Sequence, residues 1–289
     1  MDRFAAAYYA PLVMYAWDMC DANLRSIPPA VVDPRISEKG WNVVGFLSAG
    51  DDIFMAGNSI RETTMGVGDR VCYGYVAIRN SELIVVIRGT DGAQEWGDDL
   101  VFLMESHPDA GLVDRGFFSI YSTMQFHAVG STAGVQVVPG IMGVVGSNQV
   151  RVLGHSLGAA IGTYLTLDLN LGGCAASACL FASPRTGNQD FVDFFESRVP
   201  NYDLFNYERD IVPTVPEFDI LHLSRYQDLH QAKTIPANGS GEMISDNPMC
   251  NHHLICYTAL LDPETYKAEM ADPNVTQDDR NCANCVESS

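Results

Sequence analysis

The chain is poor in positive charge. Seventeen lysines and arginines stand against 36 aspartates and glutamates in 289 residues, a formal charge of −19. Such a surface repels phosphate backbones and anionic headgroups alike, so nucleic acid is not an expected partner. Long apolar runs are missing too. No stretch reaches the roughly 18 residues of a membrane span, and no transmembrane segment is expected. The opening "MDRFAAAYYAPLVMYAWDMC" lacks the basic start and small-residue cleavage site of a secretory leader and reads as a helix over about 4–20. That leaves the compartment open. Cysteine is sparse, eight in a long chain, too few for a disulfide scaffold. "CANC", with Cys282 and Cys285, has no second pair at zinc-site spacing, because Cys174/Cys179 and Cys250/Cys256 are too widely spaced; no metal is expected. There is no internal repeat. The two glycosylation sequons, at Asn238 and Asn274, are too common by chance to carry an argument.

What is present is apolar material for a large core, 47% of the residues, enough for one α/β domain over 1–289 with a polar, acidic tail from about 272. "CYGYVAIRN" and "SELIVVIRG" read as two strands meeting in a hairpin at Asn80 and Ser81. "QVRVLG", "ASACLFAS" and "YDLFNY" follow as short apolar strands, each separated by enough chain for a crossover helix, the spacing of parallel pairing. After Ser156, Leu157, Ile161, Leu165 and Leu169 recur at four-residue intervals until Gly172 and Gly173, which reads as a buried amphipathic helix.

Ser156 therefore stands between a buried strand and the helix packed on it, where α/β sheets place ligands. In "VLGHSLGAA" it is flanked by Gly154 and Gly158. A serine on a sharp strand-to-helix turn needs small residues two positions away, because side chains there collide. A serine hydroxyl is a poor nucleophile near neutral pH unless a histidine takes its proton and a carboxylate holds that histidine. The expected order is serine, acid, histidine. Asp210 is the candidate acid, since it follows the strand "YDLFNY" by a short turn and leads into "IVPTVP"; Asp203 and Asp219 are the weaker alternatives. Of the later histidines, His252 and His253 begin a helical run in "NHHLICYTALL", with Asn251 as its expected cap. His252 is the candidate base and His253 the alternative, both placed more favourably than His222 and His230 in "LHLSRYQDLHQ".

At this point "VVIRGT", "EWGDDL", "RGFFSIY", "VLGHSLGAA", "FASPRTGN", "RDIVPTVP" and "NHHLICYTALL", in this order over roughly 71–261, resemble the class 3 lipases, the fungal-lipase-like branch of the α/β-hydrolases. The resemblance implies an α/β-hydrolase fold, a central, mostly parallel mixed sheet flanked by helices, with a short lid segment. It puts Ser156, Asp210 and His252 at the triad positions, the spacing from His252 to Tyr257 favouring the first histidine of the doublet. The oxyanion-hole donors map to Thr90 and the backbone N–H of Leu157. The segment from Asp91 to Asp99, with Trp96, takes the lid position and is short and acidic. Two departures stand out: Ala159 where the family commonly has glycine, and Arg115 where a histidine often precedes "GF". The activity implied is hydrolysis of carboxylic esters, as a lipase acting on triacylglycerol or other acyl esters through a covalent acyl-enzyme, without cofactor. The partner is then an acyl-ester lipid, met in solution or at an oil–water interface, and no protein partner is inferred. A phospholipase A1 or a feruloyl-type esterase would keep the same residues; a non-catalytic lipid-binding protein on this fold is the non-enzyme alternative. The resemblance favours an extracellular home. It also implies a disulfide from Cys20 to the C-terminal region, at Cys282 or Cys285. The apolar stretches "LVFLME" and "VQVVPGIMGVV" are expected to offer a binding surface for an apolar acyl chain.

Overall fold

The structure is a computed structural model that describes residues 1–23, 26–50, 70–89, 102–219, 221–237 and 241–287. Nine strands form one sheet: β1 (Asn42–Gly50), β2 (Arg70–Arg79), β3 (Glu82–Ile87), β4 (Gln125–Ala128), β5 (Val135–Gln136), β6 (Gln149–His155), β7 (Ala176–Phe181), β8 (Tyr202–Tyr207) and β9 (Ala232–Ile235). Their order across the sheet is β9-β8-β7-β6-β3-β2-β1-β4-β5. The hairpin expected at Asn80 forms as the antiparallel pair β2/β3. From β3 outward through β6, β7, β8 and β9 every pairing is parallel. Crossover helices between β3 and β6, β6 and β7, and β7 and β8, and a long connection with the 3₁₀ turn Val212–Thr214 between β8 and β9, make that geometry reachable, since a parallel neighbour cannot be joined by a tight turn. The fold is the expected mixed α/β sheet flanked by helices.

Two cores sit on opposite faces of the sheet. On one, α5 (Leu157–Leu171) packs against β6, β7 and the helices α3 (Arg115–Ser122), α4 (Val137–Val145) and α6 (Gln189–Arg198). Helix α5 is buried almost all round, including Ala159, Thr163 and Thr166; neighbours on every side remove the polar face that an amphipathic helix would keep. On the other face α1 (Arg3–Ala22) crosses β2, β3 and β6 and packs on α2 (Pro34–Glu38), α8 (Leu254–Leu261) and α9 (Pro263–Met270), burying Val13, Tyr15 and Met19. No helix among the described residues is long and apolar enough to cross a membrane.

Two expectations are corrected, and a third is divided. Cys20 is bonded to Cys72, not to the C-terminal region, because the end of α1 lies on β2, with the two Cα atoms 5.2 Å apart. The C-terminal region is instead tied to Cys250 through Cys285. The residues from 272 are not a plain tail: they hold α10 (Gln277–Ala283) and a two-residue strand, Val286–Glu287, paired with Met243–Ile244. In the apolar patch at 135–145, Val135 and Met142 are exposed, whereas Val137 and Ile141 of α4 are buried in the cluster that holds Phe126. Met104 of "LVFLME" is likewise buried.

Candidate active site

Strand β6 ends at His155 and α5 begins at Leu157, so the chain reverses direction on Ser156 alone. Its backbone sits at φ 57° and ψ −128°, a region costly for a residue with a side chain and held only where the surroundings determine it. The crowding that makes Gly154 and Gly158 necessary is explicit. A Cβ on Gly154 would lie 2.3 Å from the Gly158 carbonyl oxygen, and one on Gly158 would lie 2.4 Å from that of Ile87. Either contact would push the elbow apart. The Ser156 N–H donates to the Phe181 carbonyl of β7 at 3.0 Å, fixing the turn to the neighbouring strand.

Asp210 follows β8, its N–H donating to the Tyr207 carbonyl at 3.0 Å. His252 is the last residue of α7 (Pro248–His252). The structure brings these residues to Ser156: the Ser156 hydroxyl lies 2.8 Å from His252 Nε2, and His252 Nδ1 lies 2.8 Å from Asp210 Oδ2. All three are at least nine-tenths buried. Asp210 Oδ1 accepts the Val212 N–H at 3.0 Å. Both carboxylate oxygens are thus held, and the imidazole they orient is directed at a hydroxyl.

His253 takes a different place. Its Nδ1 accepts the Ile255 N–H and caps α8, and burial together with the nearby His252 pushes its pKa down to about 4. Asn251 is not that cap; it lies within α7, whose own cap is Asn247. His222 pairs with the buried Asp219, and His230 with Glu196. Asp203 is held by the N-terminal ammonium and by Lys233. Leu157 is the first residue of α5, so its N–H has no acceptor within the helix. Thr90, Asp91, Trp96 and Asp99 lie outside the described residues.

Tyr257 is the residue whose contribution the sequence reading left unassigned. Its hydroxyl donates to Asp210 Oδ2 at 2.7 Å and accepts the Tyr207 N–H at 2.9 Å. The spacing from His252 to Tyr257 marked it, but only the fold brings it to β8. Beside His252 lies a cavity of about 560 Å³ walled by Met14, Trp17, Met249, Leu254 and the carboxylates of Asp18 and Asp278. No cluster of metal-ligating side chains occurs among the described residues.

Comparison with known proteins adds an independent line. Residues 84–220 match the family model described as lipase (class 3). A secreted mono- and diacylglycerol lipase A from Penicillium cyclopium is 29% identical over 154 residues, covering 50% of this chain and 46% of that protein. Phospholipase A1-II 1 from Oryza sativa subsp. indica is 28% identical over 217 residues, covering 64% and 53%. The chain thus spans about half the length of the curated relatives it matches. Among solved structures, a mutant form of MDLA from Penicillium cyclopium superposes with a TM-score of 0.55 at 23% identity, covering 81% of this chain and 78% of that one. This last likeness concerns the fold.

Proposed function

The chain belongs to the class 3, fungal-lipase-like family of α/β-hydrolases, and from that premise we propose that it is a serine hydrolase of acyl-ester lipids. The observation that carries the reading is the continuous hydrogen-bonded row Ser156, His252, Asp210, with 2.8 Å at each link, mounted on the strained elbow. In this reading Ser156 Oγ attacks the ester carbonyl while His252 Nε2 takes its proton; Asp210 holds the imidazole in the Nδ1–H tautomer and stabilises the imidazolium. The tetrahedral oxyanion is met by the N–H groups of Leu157 and Thr90, each such donor being worth about 10²–10³ in rate. His252 then protonates the departing alcohol. Water, activated by the same imidazole, attacks the acyl-enzyme and releases the acid. Every proton transfer runs through one histidine, and no cofactor takes part.

Triacylglycerol and partial glycerides are the substrates favoured, with phospholipid as the second reading. The mono- and diacylglycerol lipase supports the first and the phospholipase A1 the second. A flexible apolar acyl chain is expected, cleaved better than acetate. Secretion fits the relative described as secreted and the two disulfides, which persist in oxidising compartments. The test has two arms. Wild-type protein is expected to be labelled by a fluorophosphonate probe and Ser156→Ala protein to escape it; labelling of both would remove the assignment of the nucleophile. A panel of p-nitrophenyl, triglyceride, phospholipid and feruloyl esters then decides the substrate class. A rate highest on phospholipid would replace the first reading by the second.

A further inference from the structure

His252 is held at its ring by two partners, but its ring is only as fixed as the backbone that bears it. That backbone is the end of α7, a helix of five residues. A helix so short is marginal on its own, and its last carbonyls have no partner within it. The His252 carbonyl is one of these orphan groups, since the chain leaves the helix at His253, with φ −70° and ψ 134°. The partner it finds is His155, whose Nε2 lies 2.8 Å from that oxygen.

Only a donor can satisfy a carbonyl, so His155 carries its proton on Nε2 and leaves Nδ1 bare. Nδ1 is buried and has no hydrogen-bond partner among the described residues, which is consistent with that tautomer. The His155 ring stacks on the ring of His252, centroids 4.7 Å apart and planes inclined by 35°, and meets Tyr257 edge-on at 6.0 Å. Burial, reinforced by His252 and His253 nearby, holds the His155 pKa well below the ordinary histidine range. A neutral neighbour does not repel the charge that His252 gains when it takes the serine proton.

His155 and Ser156 are adjacent at the end of β6. One bonds the backbone of His252 and the other its ring. We propose that His155 is a positioning residue for the ester hydrolysis assigned above, referring the base to the strand that carries the nucleophile through a bond from Nε2–H to the His252 carbonyl. This inference rests on that reading of the site. The second residue of "GHSLG" is, on this view, chosen for where its donor falls.

Glutamine and asparagine separate donor position from polarity. The amide nitrogen of glutamine falls near Nε2, whereas that of asparagine stops near Nδ1 and cannot reach the carbonyl. In steady-state kinetics on a soluble p-nitrophenyl ester, His155→Gln is expected to hold kcat within about threefold, and His155→Asn to lower it by up to about 100-fold with KM little changed, the scale of a misplacement of about 1 Å. Equal activity of the two variants, or a loss falling on KM, overturns the proposal. Nuclear magnetic resonance of wild-type protein with ¹⁵N-labelled imidazoles reads the same bond without a substitution. His155 is expected in the Nε2–H tautomer at every pH at which the chain is folded; an Nδ1–H tautomer, or titration between about pH 5 and 8, overturns it. Absence of ester hydrolysis by wild-type protein would defeat the functional reading alone, because the tautomer is measured independently of turnover.

Discussion

Tyr257 donates its hydroxyl proton to the same oxygen of Asp210 that accepts from His252, at 2.7 and 2.8 Å. The two donors sit on separate helices, α8 and α7, on either side of His253. Removing the hydroxyl in Tyr257→Phe takes a charge-assisted hydrogen bond from the carboxylate and leaves the Tyr207 N–H without its acceptor. A fall in kcat of about tenfold and a stability loss of about 1–3 kcal/mol are expected. Stopped assays and thermal melts check both; unchanged kcat would show that the remaining contacts of Asp210 suffice.

Ser156→Ala is expected to abolish ester hydrolysis by on the order of 10⁴-fold or more while the protein melts as wild type. Alanine adopts the same turn and removes only the oxygen. Turnover at the wild-type rate would contradict the role given to the serine.

Asp210→Asn and His252→Ala are each expected to cost most of the activity. His253→Ala should leave turnover nearly intact and lower the melting temperature slightly, because what it removes is a cap on α8, typically about 1 kcal/mol. Assay of the three variants side by side gives the answer, and an inactive His253→Ala protein would exchange the roles of the doublet.

The docking of α10 should depend on pH through Asp279. This buried carboxyl is pushed up to about 7, first by burial and then by Asp18 of α1. Arg35 faces it from the short helix Pro34–Glu38, its Nη1 3.7 Å away, and Asp33 is bonded to the same guanidinium. The unfolded chain releases this proton near pH 4, so the folded state loses ground once the pH passes that value. The contribution is full below about 4, falls as pH rises to about 7 and is constant above it. Thermal melts across that range should show the fall in wild type and a flatter profile in Asp279→Asn.

The bond between Cys250 and Cys285 closes a separation of 35 residues. Cys285→Ser is expected to destabilise the protein by about 3–4 kcal/mol and to reduce activity as well, since Cys250 lies two residues before His252. Retention of full activity across the melting range would separate the tether from the site.

The parts of the molecule legible in the sequence are those fixed by local rules. The β2/β3 hairpin follows from two unbroken apolar runs that meet at Asn80 and Ser81, and the elbow is marked locally by Gly154 and Gly158, although the Ile87 carbonyl that Gly158 must clear belongs to β3. Asp210 is legible because a strand end and a turn are both written locally. What depends on distant segments meeting is not. The partner of Cys20 is decided by where α1 crosses the sheet, and Cys72 carries no local mark of it. Asn251 reads as a cap until α7 and α8 prove to be separate helices, with His253 capping the second. Asp219 reads only as a weaker alternative for the acid, and its full burial, with the Met104 N–H donating to it at 2.6 Å, depends on a segment far from it in sequence. The bond from Tyr257 to Asp210 spans 47 positions, and only the packing of α8 against the sheet reveals it.

The supports under Ser156 and His252 are of unequal stiffness. The serine stands on β6, a strand paired on both sides in the middle of the sheet; the histidine stands on a five-residue helix whose ties include the Cys250–Cys285 disulfide and the bond from His155 to the His252 carbonyl. Local opening draws on the least supported elements first. Gentle heating or reductant will therefore detach the base while the sheet still gives a native circular dichroism signal. A preparation can pass every test of folding and contain little working protein, so titration of the nucleophile under turnover, and not spectroscopic integrity, measures how much of a sample is usable.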